Sequence, residues 1–100
     1  MSEFQDRVLK FVAMVPKGKV TTYKELARAV GNPRAYRAVA NAVARNPQPI
    51  KIPCHRVVRS NGEIGGYRLG VRRKIMLLVS EGIEVRGATI NIGRCLFRFK

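Results

Sequence analysis

Apolar residues recur at helical spacing in four stretches of the chain, with turn-forming clusters between them. Phe4, Val8, Phe11, Val12 and Val15 predict a first helix with one inward stripe. Ser2-Glu3-Phe4-Gln5 has the form of a capping box at its start, and Pro16 ends it. Lys17-Gly18-Lys19 reads as a turn and Val20-Thr21 as a short extended link. Thr22-Tyr23-Lys24-Glu25 repeats the capping-box form, so a second short helix is predicted from Tyr23. It should bury Leu26, Ala27 and Val30 and stop at Gly31. Asn32 and Pro33 supply an N-cap and a first-turn proline for a third helix, which runs to about Arg45 before Asn46-Pro47 breaks it.

The second and third helices, joined by a tight Gly-Asn turn, form a helix-turn-helix candidate. In the third, Arg34, Arg37, Asn41 and Arg45 fall on one face, interleaved with Ala35, Ala38, Ala40, Ala42 and Ala44. Small side chains let a helix backbone lie close to a partner, and the arginines can meet phosphates or enter a base stack. The same pattern also describes an Ala-rich core helix with a solvated charged face, with Tyr36, Val39 and Val43 serving the core. Residues 47–70 hold most of the Pro and Gly, which predicts an ordered loop with a short strand Val57-Val58-Arg59 and a turn Ser60-Asn61-Gly62. A fourth helix is predicted from Val71 to Glu81, with Val71, Ile75, Leu78 and Val79 inward and Gly82 as its cap. Ile90/Ile92 and Cys95/Phe97/Phe99 alternate about Gly93 and predict a terminal hairpin, with Cys95 buried.

At 100 residues and 46% apolar content the chain suits one compact domain with a modest core. No apolar run approaches the ~18 residues of a membrane span, and residues 1–6 lack a signal-peptide pattern. Charge changes the picture more. Twenty Lys and Arg against six Asp and Glu give a net charge of +14, with no acidic residue between Glu25 and Glu63. A field of one sign at this density attracts a polyanion, and nucleic acid is the usual one. A solubilising surface is the plainer alternative.

Two cysteines, Cys54 and Cys95, cannot build a disulfide framework, and with one histidine they offer no metal-binding spacing. No metal is expected, and the expected compartment is intracellular: the cytoplasm, or the nucleus in a eukaryote. Ile52-Pro53-Cys54-His55-Arg56-Val57-Val58 is where chemistry is expected. A free thiol is only a few per cent thiolate at neutral pH, so a nucleophile needs an imidazole or basic neighbours. Adjacency does not place the His55 ring on the Cys54 sulfur; it can act through a water, with a carboxylate to orient it. Glu81 is the candidate, because a carboxylate in the last turn of a helix opposes the dipole and calls for compensation. On these residues alone, Cys-His remains equally a structural pair.

The run from Asn46-Pro47 through Pro53-Cys54-His55-Arg56-Val57-Val58, then Gly66-Tyr67, Lys74 and Ser80-Glu81-Gly82, closely resembles the O6-alkylguanine-DNA alkyltransferases. The likeness extends upstream through Lys17-Gly18-Lys19-Val20-Thr21-Thr22-Tyr23 and Arg37-Ala38-Val39, covering roughly Phe4 to Glu84. It implies that Cys54 accepts an alkyl group from O6 of guanine, with His55 as the water-mediated base, Glu81 orienting it and Asn46 bracing the loop. It implies that Tyr23 helps rotate the nucleotide out and hydrogen-bonds the guanine ring. Arg37 matches the arginine that fills the vacated stack, on a helix in the minor groove. Val57 and Cys54 would read the guanine edge through their backbones, and Tyr67, Arg68 and Leu69 would line the pocket or its rim. Ala38, Arg34, Asn41 and Arg45 complete the expected DNA-facing set.

The chain departs from the family's common form in starting where the C-terminal domain of that form begins. Ala40 stands where Gly is frequent, and Leu69 where Gly or Trp is frequent. The short alkyltransferase-like relatives normally carry Trp at the acceptor position, which is Cys54 here. The expectation is a single α+β domain over residues 1–100, mostly helical, with winged helix-turn-helix character and short β-hairpins. It should act as a monomer on double-stranded DNA containing O6-alkylguanine, away from any membrane. The alternative is a non-catalytic lesion binder that signals to another pathway. A sequence-specific regulator leaves Cys54, His55 and Glu81 unexplained, and a Cys-His hydrolase lacks an evident oxyanion site.

Overall fold

The computed structural model describes residues 3–99. Helix α1 spans Glu3–Ala13 and buries Val8, Leu9 and Val12 along its inward stripe. The proposed cap at Ser2 lies outside the described residues. Strand β1, Thr21–Thr22, leads directly into α2, Tyr23–Ala29. The Thr22 hydroxyl accepts from the Glu25 backbone N–H at 3.0 Å, a cap worth about 1 kcal/mol. The end of α2 is equally well specified. Gly31, with φ of 87°, lets Gly31 N–H reach Arg28 O and Asn32 N–H reach Ala27 O, both at 2.9 Å, the two bonds of a Schellman motif.

Helix α3 spans Tyr36–Ala44 and starts later than the Asn32-Pro33 signal predicts. Asn32 instead closes a turn by accepting from Ala35 N–H at 3.0 Å, and the helix begins without a side-chain cap. Arg34 therefore precedes the helix. Val39, Ala42 and Val43 face inward, while Tyr36 is exposed rather than a core residue. Helices α1, α2 and α3 enclose one core cluster, to which Cys54 and Val57 also belong.

A one-turn 3-10 helix, Cys54–Arg56, passes into β2, Val57–Val58. Strand β2 pairs in parallel with β1, Thr21 opposite Val57 and Thr22 opposite Val58. Beyond it, Gly62 N–H closes the Arg59–Gly62 turn on Arg59 O at 3.0 Å. Helix α4 spans Val71–Ser80. Its predicted inward set needs correction: Val71 and Val79 are exposed, and the fully buried positions are Lys74 and Leu78. The stripe is rotated toward Lys74 because that ammonium finds carbonyl partners inside. A second Schellman motif ends α4, from Gly82 N–H to Val79 O and Ile83 N–H to Leu78 O, so Glu81 becomes its C-cap residue.

The tail also differs from expectation. The hairpin lies earlier, with β3, Val85–Arg86, antiparallel to β4, Thr89–Ile90. The Gly93 region coils into a short helix α5, Ile92–Cys95, because Leu96 N–H bonds back to Ile92 O at 2.9 Å. Cys95 packs with Val20, Val58, Ile64, Leu78, Ile83 and Ile90 in a second core cluster. The molecule is thus a small α+β domain carrying a helix-turn-helix, with the Cys54 turn at the junction of its two cores.

Candidate functional site

Cys54 is delivered to the interior by a loop whose conformation is fixed from within. Asn46 is fully buried; its Nδ2 donates to Ile52 O at 2.8 Å and its Oδ1 accepts from Gln48 N–H at 2.9 Å. Arg68 adds a guanidinium bond to the Asn46 carbonyl. Within this loop Ile50 takes φ of 77°, a left-handed conformation that costs a β-branched residue on the order of 1–3 kcal/mol. Pro53 then turns the chain so that Cys54 is only 4% exposed.

His55 follows into full burial and meets Glu81, Nε2 to Oε2, at 3.0 Å. Burial alone pushes the Glu81 carboxyl upward, but hydrogen bonds from Arg56 and His55 and their charges outweigh it, holding the group below its usual range. The Glu81 carboxylate is thus an acceptor, which assigns the proton to Nε2 and leaves Nδ1 as the basic nitrogen. Burial pushes the imidazole down, against the pull of Glu81 and with the help of Arg56 and Lys74, so the neutral ring is favoured. Nδ1 is one of three buried side-chain polar atoms without a partner among the described residues, and Tyr67 Oη is another. The two rings stand edge to face at 6.4 Å between centroids.

Lys74 is a motif residue to which the sequence reading assigned no role in the site. Fully buried on α4, its Nζ donates to Val57 O at 2.7 Å, to Gly66 O at 3.1 Å and to Ile64 O. Desolvation lowers it to about 8, with the charge of Cys54 opposing and Arg59 adding to that fall. One cation thereby ties together the strand after the Cys54 turn and the Ile64–Gly66 segment. The available signal was its spacing, three residues after Val71 and four before Leu78, on the stripe assigned to the core.

A cavity of about 330 Å³ is lined by Tyr23, Ala40, Val43, Ala44, Cys54, Gly66, Tyr67 and Arg68. A wider groove of about 790 Å³ shares Tyr23, Ala40 and Gly66 with it and continues past Pro33, Tyr36, Arg37, Arg59, Ser60 and Asn61. The turn at 60–62 therefore faces α3 across a groove, as a wing does. Burial, and then the charge of Cys54, raises the Tyr23 hydroxyl against the opposing Arg59, so it remains a donor. Tyr67 is raised for the same first two reasons.

Most of the expected site residues converge here. Cys54, Tyr23, Tyr67 and Arg68 share the cavity, His55 and Glu81 pair behind it, and Asn46 braces the loop. Arg34, Arg37, Ala38, Asn41 and Arg45 are all exposed, Arg34 just before α3, Arg45 at its C-cap and the others along it. Two expected pocket residues do not line the cavity. Leu69 is 41% exposed outside it, and the Val57 side chain lies in the helical core. The Val57 carbonyl already accepts from Lys74 and the Cys54 carbonyl from Val57 N–H, leaving each a second lone pair. Cys95 lines a separate cavity of about 610 Å³ with Gly18, Glu84 and Arg94.

Fold and site define a helix-turn-helix domain that buries a cysteine beside a neutral, carboxylate-paired imidazole, at the foot of a groove flanked by arginines. Residues 3–83 match the family described as 6-O-methylguanine DNA methyltransferase, DNA binding domain, and the chain belongs to it. The methylated-DNA–protein-cysteine methyltransferase of Methanothermobacter thermautotrophicus is 49% identical over 86% of this chain and 48% of its own length. The Escherichia coli bifunctional transcriptional activator/DNA repair enzyme Ada is 50% identical over 78% of this chain and 22% of its own. The chain thus spans about half or less of the length of these curated relatives. Among solved structures, S. pombe Atl1, in complex with damaged DNA containing O6-carboxymethylguanine, is similar with a TM-score of 0.87 at 33% identity, covering 98% of this chain and 97% of that one. Mycobacterium tuberculosis OGT in complex with DNA gives 0.80 at 41% identity, covering 82% and 50%.

Proposed function

We propose that this domain removes an alkyl group from O6 of guanine in duplex DNA by transferring it irreversibly to Cys54 Sγ. The observation that carries the reading is the pairing of His55 Nε2 with Glu81, which leaves Nδ1 unpartnered and basic on the residue that directly follows the buried, cavity-lining Cys54. A water between Nδ1 and the thiol takes the sulfur proton to the imidazole. The sulfur forms a bond to the alkyl carbon while the carbon–O6 bond breaks and its electron pair leaves with guanine. Tyr23, kept protonated, donates to the guanine ring as that charge develops. A target inside a duplex must leave the stack before it reaches a buried thiol, and Arg37, which lines the adjoining groove, occupies the gap. Arg34, Asn41, Arg45 and the small Ala38 form the rest of the DNA-facing surface. No cofactor enters, because the protein is the acceptor and is consumed. The domain acts as a monomer, in whichever of cytoplasm or nucleus holds the DNA. Among the described residues no helix is long and apolar enough to cross a membrane.

The test is the intact-protein mass after incubation with methylated duplex DNA. A gain of one methyl per chain, mapped to Cys54, is expected. Tight binding to the lesion with no mass change would replace this reading with the second one, a non-catalytic lesion binder. The lesion-binding part of that alternative is supported by the likeness to S. pombe Atl1, solved in complex with damaged DNA containing O6-carboxymethylguanine.

A further inference from the structure

Arg56 directly follows His55, and none of its hydrogen bonds points toward the cavity. Nε donates to Glu81 Oε1 at 2.9 Å and Nη2 donates to Oε2 at 2.6 Å, a bidentate fork that fixes the plane of the carboxylate. Nη1 donates to Val15 O at 2.8 Å, anchoring the fork to the turn after α1. Oε2 is the same oxygen that His55 Nε2 meets. The turn that carries the thiol and the imidazole therefore also carries the brace for the imidazole's partner.

We infer that Arg56 is the positioning residue of His55: it clamps Glu81 so that the carboxylate holds the Nε2 proton and leaves Nδ1 to act as the base. This deepens the alkyl-transfer reading and rests on it for what Nδ1 does. The clamp itself involves only groups of this chain. A carboxylate 8% exposed beside an imidazole favours the imidazolium, and a guanidinium on both of its oxygens balances that charge. Four groups act on the ring: Glu81 at the end of α4, Lys74 within α4, Arg56 of its own turn, and Tyr67 edge-on. Of the two cations, only Arg56 touches Glu81. Lysine cannot substitute fully, being a point charge without the planar fork.

His55 is the only histidine in the chain, so proton–nitrogen NMR reports its tautomer and titration midpoint without DNA present. The unmodified chain should show Nε2 protonated and Nδ1 bare. In Arg56→Met the midpoint should rise, because the charge of Glu81 is no longer balanced. The acid limb of transfer rate against pH should rise with it, and transfer at pH 7 should fall by about tenfold or more. Arg56→Lys should return the midpoint toward that of the unmodified chain while restoring the rate only in part. A folded Arg56→Met with unchanged midpoint and tautomer overturns the clamp and leaves Arg56 a brace for Val15. Should Arg56→Met fail to fold, Arg56→Lys decides, and a full transfer rate there overturns the proposal. A shifted midpoint in a protein that never transfers an alkyl group would sink the transfer reading and leave the clamp standing.

Discussion

His55 and Glu81 lie 26 positions apart in the chain and meet through Nε2 and Oε2 at 3.0 Å. The meeting takes place at the end of α4, where Glu81 is the C-cap residue and Gly82, with φ of 90°, turns the chain out of the helix. A carboxylate at a helix C-terminus opposes the dipole, and here Arg56 and His55 offset that cost.

Glu81→Gln should therefore lower both transfer and stability. The amide leaves the Arg56 guanidinium without a charge partner, which should cost about 2 kcal/mol near pH 7. Because the folded carboxyl lies below its ordinary 4.5, the stability it confers is present above that value and lost as pH falls through the folded pKa. Urea unfolding at pH 7 should separate variant from parent, and the gap should shrink at pH 3. An equal gap at both values would mean that the ionised form contributes nothing.

The two cysteines should behave differently. Cys95 is pushed up by burial, with Lys19 opposing, and it packs in the second core away from the cavity. Cys54→Ser should abolish transfer, whereas Cys95→Ser should retain it with a small loss of stability. Peptide mapping that placed the alkyl group on Cys95 would end the assignment.

Arg37 and Tyr23 separate base extrusion from chemistry. Arg37→Ala should slow transfer from methylated duplex far more than it weakens non-specific binding, because the flipped state is a few kcal/mol uphill without help. It should leave reaction with the free methylated base nearly intact. Tyr23→Phe keeps the ring but loses the donor, so it should slow both substrates. Arg34→Ala and Arg45→Ala should mainly lower affinity and reduce the salt slope by about one unit each. Equal losses for Arg37→Ala on duplex and free base would assign Arg37 to the fold.

Where the fold was legible, the signal was local. Thr22 and Glu25 announced the start of α2, and Gly31 and Gly82 announced two helix ends whose backbone bonds are those the glycine positions require. Glu81 was legible as the partner of His55 from its awkward place at the end of α4, and the resemblance agreed, although nothing in the spacing alone brings residue 81 to residue 55. The failures were cases where a distant partner overrode a local pattern. Lys74 displaced Val71 and Val79 from the inward face because three carbonyls receive its ammonium. The Asn32-Pro33 cap lost to a turn that postpones α3 to Tyr36, and the alternation around Gly93 lost to α5. Arg56 read as one more cation in a basic stretch, because a fork onto Glu81 and Val15 is invisible until both have been placed.

Lys74 gives stability an unusual dependence on alkaline pH. Its ordinary value of 10.5 falls to about 8 in the fold, so between those values the unfolded chain binds more protons than the folded one. Its contribution to stability therefore rises as pH climbs from about 8 toward 10.5, by roughly 3 kcal/mol at most. Lys74→Met should flatten that rise in denaturant titrations at pH 7.5 and pH 10. A parent protein with no such rise would show that the carbonyl cage fully compensates the buried charge.

The parallel pairing of Thr21 with Val57 and Thr22 with Val58 has a consequence for how the site comes into being. Parallel contacts between segments this distant in sequence carry a high loop-closure cost and form after local helices have condensed. On one side of the pair lies the cap of α2 and Tyr23; on the other lies the turn of Cys54 and His55. A nascent or partly folded chain therefore holds an ordinary cysteine, whose neighbouring imidazole is not yet paired with Glu81 and whose groove with Tyr23 is not yet assembled. Under the proposed transfer, reactivity would be acquired together with the last long-range contacts, and Cys54 would not be alkylated before the groove that directs it has formed.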